Sequence, residues 1–277
     1  MSLAIAFKGP EGIVLAVDSR VTIMAMQQLS IPGQQSQNAL IPATFDNATK
    51  LLKVKGQDHV GAVTYGAGAI GQREFRTASS YLPEFEAELG NSGRLAVQEF
   101  ADKLSSFFSR QWVAAEMPSA AGSDMAFLIG GYDQDAAYGR IFEIFIPSRP
   151  APIEWHPDRE FGVVWGGQRD IVDRLILGFD PKLPALAVNF LNQQPGQVQA
   201  LETELKNKLQ VAIPYQFLPL QDCVDLSIFL LRSTITLQRW SIGVRGVGGA
   251  VDVATITRTK GFEPIQQKTL GGETRID

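Results

Sequence analysis

The stretch Ser2-Leu-Ala-Ile-Ala-Phe-Lys-Gly-Pro-Glu-Gly-Ile-Val-Leu-Ala-Val-Asp-Ser-Arg20 decides the fold. Residues 3–8 and 12–18 are short runs of aliphatic and β-branched residues. Gly9-Pro10-Glu11-Gly12 separates them, so they read as two strands joined by a turn. Ser2 stands at the head of the first strand. Methionine is normally trimmed before a small residue, so the mature chain is expected to begin at Ser2. A terminal serine carries a hydroxyl nucleophile and an α-amine base on one residue. That amine titrates near ~7.7–8.0, so a useful fraction is neutral at cellular pH.

Beyond Arg20 the pattern changes. Residues 21–49 carry five glutamines with Pro32, Gly33 and Pro42, and read as a long loop. Strands are expected at Leu51–Val54 and Val60–Tyr65. Two helices follow, over 69–89 and 94–115; in the second, Val97, Phe100, Ala101, Leu104 and Phe108 form one stripe. Strands return at Met125–Gly130, Ile141–Ile146 and Gly162–Trp165, with a Pro-rich turn over 147–152. Helices are expected at 168–177 and 221–239, with a mixed, Pro-punctuated stretch over 180–218. Val251–Ile256 is the last strand, and the tail from Lys268 is expected to be flexible. Strands in groups and helices in pairs imply two packed sheets with helix layers outside, rather than a Rossmann alternation.

The bulk numbers narrow the function. The 277 residues are 45% hydrophobic and 19% charged, with ample apolar content for a core. A net charge of −4 with scattered Lys and Arg argues against nucleic acid, which needs a basic patch. The one cysteine, Cys223, allows no internal disulfide; it reads as a buried structural thiol in a reducing compartment. No stretch reads as a signal peptide, and Leu226–Leu231 falls short of the ~20 residues a membrane helix needs. A cytoplasmic protein is expected.

Rival chemistry is weak. His59 and His156 lack metal-ligand spacing and read as structural or surface histidines, so no metal is expected. Gly66-Ala-Gly68-Ala-Ile-Gly71 matches a G-x-G-x-x-G string, but no acidic residue follows at a strand end to hold a ribose. No organic cofactor is implied. Read singly, Asp18 could cap a turn, Lys50 could be a solvated loop lysine, and Gly66 could be a turn glycine.

Taken together, these residues resemble the proteasome β-subunit family of N-terminal nucleophile hydrolases, in a diverged bacterial branch. The likeness rests on Gly12-Ile-Val-Leu-Ala-Val-Asp-Ser-Arg20, Ala48-Thr-Lys50-Leu51, Thr64-Tyr-Gly66, Phe127-Leu-Ile-Gly-Gly-Tyr-Asp133 and Gly248-Gly-Ala-Val-Asp252, in that order along nearly the whole chain. The resemblance implies an α+β fold, a four-layer αββα sandwich of two mainly antiparallel sheets flanked by helix pairs. It implies one domain over 1–277, with insertions at about 21–49 and 180–218. It assigns Ser2 as nucleophile, Lys50 as the cation that lowers its pKa, Asp18 as the partner that orients Lys50, and Gly66 N–H as the oxyanion donor. Arg20 would extend the charge network. The implied activity is cleavage of polypeptide in a ring or helical homo-oligomer, with the helices at 94–115 and 221–239 as contact faces. No ATPase partner can be named. The alternative is a scaffold subunit that assembles but does not cut, since polar positions of the family fall here on Gly166, Val244 and Val247.

Overall fold

The computed structural model describes residues 2–29, 37–71, 74–118, 124–191, 194, 196–269 and 271. Met1 and most of the tail beyond 268 lie outside them. The opening hairpin forms as read, with β1 at Leu3–Lys8 and β2 at Ile13–Asp18. Its apolar run is continuous because both faces are buried. Ala4, Ala6, Ile13, Leu15 and Val17 enter one apolar cluster; Leu3, Ile5, Phe7, Val14 and Ala16 enter another. The alternation is that of a strand pair with a core on each side.

Next come β3 (Val21–Leu29), β4 (Gln37–Phe45), β5 (Leu51–Lys53) and β6 (Val60–Gly66). A 3₁₀ turn at Ala78–Tyr81 leads into α1 (Leu82–Leu89), and α2 spans Val97–Ala114. Then follow β7 (Met125–Gly131), β8 (Arg140–Ile146), β9 (Arg149–Trp155) and β10 (Gly162–Gly167). Helices α3 (Asp170–Leu177), α4 (Leu183–Phe190), α5 (Gln197–Leu209) and α6 (Leu220–Trp240) precede β11 (Val251–Thr257) and β12 (Gly261–Gln266).

One sheet runs β10-β1-β2-β11-β12 and another β5-β6-β7-β8-β9. Their facing sides share one cluster, in which Leu15 and Val17 meet Val63 and Leu128. Gly130 lets the sheets approach closely: a Cβ there would meet Ile13 Cγ2 at 2.6 Å. Helices α1 and α2 cover the far side of the second sheet through Phe85, Phe100, Phe108 and Trp112. The first sheet is covered on its far side by α3 and α6 through Val172, Ile176, Leu230 and Leu231.

The expected four-layer αββα sandwich is corrected. Among the described residues there are three sheets and six helices, an α+β arrangement that does not reduce to four layers. The third sheet is the β3-β4 ribbon, with Val21 opposite Phe45 and Thr22 opposite Thr44. It occupies the segment read as a loop. Helices α4 and α5 add a further layer, and α5 buries no residue.

Three smaller readings also change. The helix expected over 69–89 is confined to 82–89, because Ile70 bridges Arg76 and Pro83 sits in the first turn of α1. The 147–152 turn is largely strand β9, and β12 follows the strand taken as last. The Gly66–Gly71 string therefore opens no helix, and the phosphate reading loses the dipole it needs.

Candidate functional site

The hairpin register brings Ser2 and Asp18 to the same end of the first sheet. Ala4 faces Val17, and Leu3 N–H donates to Asp18 Oδ1 at 3.0 Å. Lys50 enters from the second sheet, immediately before β5, and Gly66 closes β6 beside it. The structure thus gathers four residues from two sheets into one small cleft. Ser2, Lys50 and Gly66 line it with Thr49, Thr64 and Gly68, while Asp18 lies fully buried beneath.

Lys50 Nζ donates to Ser2 Oγ at 2.8 Å, to Asp18 Oδ1 at 3.0 Å and to the Arg20 carbonyl at 2.5 Å. An ammonium has three N–H donors, and each has an acceptor here. Lys50 is 4% exposed and Ser2 3%. Burial pushes the Lys50 ammonium below its ordinary pKa, and the attraction of Asp18 opposes that shift. Asp18 also accepts from Arg20 N–H and Gly248 N–H, both at 3.0 Å to Oδ2. Three backbone donors and one ammonium therefore fix its carboxylate.

Arg20 belongs to the site by its backbone. Its guanidinium turns away and pairs with Asp46 at 2.5 and 2.8 Å, which clamps the base of the β3-β4 ribbon. Gly66 has φ +81°, and a Cβ there would lie 2.2 Å from the Asp124 carbonyl oxygen. Only glycine fits without strain.

Sequence reasoning missed two supports. Gln168 N–H donates to the Ser2 carbonyl at 2.7 Å, and the Gln168 side chain meets Gln238, whose Oε1 accepts from Val247 N–H at 2.9 Å. These glutamines put polar atoms beside the apolar Val247 and Gly167. The second support is Asp252, fully buried and ion-paired to Lys268, close enough for both charges to act on Lys50. Gln238 lies in α6 and Gln168 in the turn before α3, and neither carries a spacing signal, so this pair could not be read in advance. His59 and His156 lie away from the cleft: His59 Nε2 bonds the Leu95 carbonyl at 2.7 Å. Cys223 is buried, and burial pushes its thiol up to about 12.

No family model and no curated protein matches the chain. Its fold is similar to that of solved structures. The solved structures that carry this likeness are of Anbu. An Anbu mutant from Hyphomicrobium sp. strain MC1 gives a TM-score of 0.53 at 14% identity, over 97% of this chain and 86% of that one. The helical assembly of the Anbu complex from Pseudomonas aeruginosa gives 0.53 at 15%, over 95% and 84%. This corrects the expected membership in the β-subunit family: the likeness is one of fold, to Anbu structures. No described helix is long and apolar enough to cross a membrane.

Proposed function

We propose that the chain is a single-domain N-terminal-serine peptidase that works once the peptide bond before Ser2 is cut. The observation that supports this reading most is the 2.8 Å contact between Lys50 Nζ and Ser2 Oγ, with both residues almost fully buried. A solvated lysine would not be held there by a buried aspartate.

In this reading the Ser2 α-amine, directly or through a water, takes the hydroxyl proton as Oγ attacks a peptide carbonyl. It returns the proton to the leaving amine. The positive charge of Lys50 favours the developing alkoxide, and Asp18 fixes Lys50. Gly66 N–H faces the oxyanion, a contribution of ~10²–10³ in rate for such a donor. The groove bordered by Val21, Ile23, Phe45 and Phe75 continues from the cleft and suits an extended polypeptide. Self-association into a ring or helix is part of the proposal; the helical Anbu assembly supports it as an analogy of fold.

Intact mass spectrometry tests the reading. Protein from the native host should begin at Ser2 and gain one adduct there with an epoxyketone or β-lactone probe. Ser2→Ala should keep the fold and lose both adduct and peptide cleavage. A native chain still extended before Ser2 would leave the scaffold reading in its place, and cleavage that survives Ser2→Ala would move the nucleophile to another residue.

A further inference from the structure

A second cavity opens on the other side of Gly166 and Gly167 from Ser2. Tyr65, Phe145, Trp155 and Trp165 wall it, with Arg149 and Arg169 at its margin, and its volume is about 450 Å³. Small-molecule sites have this size and this mix of apolar wall and few polar groups. Tyr65 borders the Ser2 cleft as well, so the two cavities share a wall.

The wall residues are anchored by their edges. Tyr65 Oη donates to Glu143 Oε1 at 2.5 Å, and Trp155 Nε1 to Glu143 Oε2 at 3.0 Å. Trp165 Nε1 donates to Asp173 Oδ1 at 2.9 Å. Both carboxylates are buried and engaged within the wall. The ring faces remain for contact. The arginines lie over two of them: the Arg149 guanidinium carbon is 4.6 Å from the Phe145 centroid and that of Arg169 5.6 Å from the Trp165 centroid. Arg169 holds Asp173 through Nε. Arg149 pairs with Glu143 Oε2 at 3.8 Å, an ion pair too long for a hydrogen bond. A planar guanidinium with terminal N–H groups to spare matches a carboxylate.

We propose that this cavity binds a flat organic acid, with its ring between the aromatic walls and its carboxylate against Arg149 and Arg169. Both contacts are favourable: offset rings attract beyond their buried area, and ion-assisted hydrogen bonds are about twice as strong as neutral ones. The site uses no atom of Ser2, so it stands apart from the peptidase reading.

Titration calorimetry of the full chain with naphthoate, and with neutral naphthamide, tests this. Saturable binding of naphthoate is expected, with naphthamide about tenfold weaker. Arg149→Gln with Arg169→Gln should bring naphthoate down to the level of the amide. Both arginines are about half exposed, and a thermal melt checks that the variant folds. Ser2→Ala should titrate like the unaltered chain. Absence of saturable heat with naphthoate, or equal affinity for acid and amide, overturns the proposal. That comparison needs no variant, so it decides even if the double substitution fails to fold.

Discussion

Asp18 accepts four hydrogen bonds on two oxygens, from Leu3, Arg20, Gly248 and Lys50, with no exposed surface. Asp18→Asn would replace one acceptor oxygen by an amide that must donate, against neighbours that also donate. It would also leave Lys50 as an uncompensated buried charge. A loss of about 3–5 kcal/mol is expected from urea unfolding. His59 supplies a pH effect. Its Nε2 must donate to the Leu95 carbonyl, and burial lowers its pKa. The unfolded imidazole takes up a proton as pH falls below about 6.5 while the folded one resists. Stability present above that pH is therefore lost as pH falls toward the folded value. Thermal melts across this window should decline, and His59→Gln should flatten the decline. The sequence marked Ser2 by its hydroxyl and terminal amine, whereas Asp18, Lys50 and Gly66 were marked only by the ordered stretches of the resemblance, since singly each could be a turn or surface residue. It did not show that Arg20 would act through two groups, its side chain on Asp46 and its backbone on Asp18 and Lys50. Nothing in a residue's identity tells which of its atoms will be used.

At the level of elements, what misled the reading was proline. Pro150 and Pro152 lie in β9 and Pro264 in β12, and each of these strands closes the edge of its sheet. Edge strands tolerate a missing N–H, so proline there is compatible with pairing. β4 contains Pro42 in a two-stranded ribbon, where every strand is an edge. The central strands β1, β2, β6 and β7 were legible because burial on both faces leaves an unbroken apolar run. Helix α2 was legible from its stripe. Phe108 lies on that stripe, fully buried, with its ring centroid 4.8 Å from that of Phe127 on β7. Phe108→Ala should cost about 3–5 kcal/mol in chemical denaturation. The exposed Val113 on the same helix should cost less than about 0.5 kcal/mol when changed to Ala.

For the whole molecule, α6 presents two faces. Val224, Leu230 and Leu231 are buried against β1, β2 and β11, while Phe229, Leu237 and Trp240 form an exposed apolar stripe. Helix α2 offers less, since its large apolar residues other than Val113 are buried against its own sheet. If self-association uses α6, Phe229→Glu with Trp240→Glu should lower the mass measured by sedimentation velocity without lowering the melting temperature. Unchanged mass would move the contact elsewhere. The order of the central strands and of α2 and α6 was legible, because it follows from which runs are apolar on two faces and which on one. The extra ribbon and the α4-α5 layer were not, because neither draws on the main core that makes a pattern visible. Strand β1 carries a last consequence. At one end Ser2 is held by Lys50; at the other, Lys8 is fully buried and donates to the His156 and Asp158 carbonyls at 2.6 and 2.9 Å. Both ammonium groups are buried, Lys50 with three acceptors and Lys8 with two, so they are silent toward amine-acylating reagents while the fold is closed. The rate at which either becomes labelled is a clock for the opening of its own end of the strand.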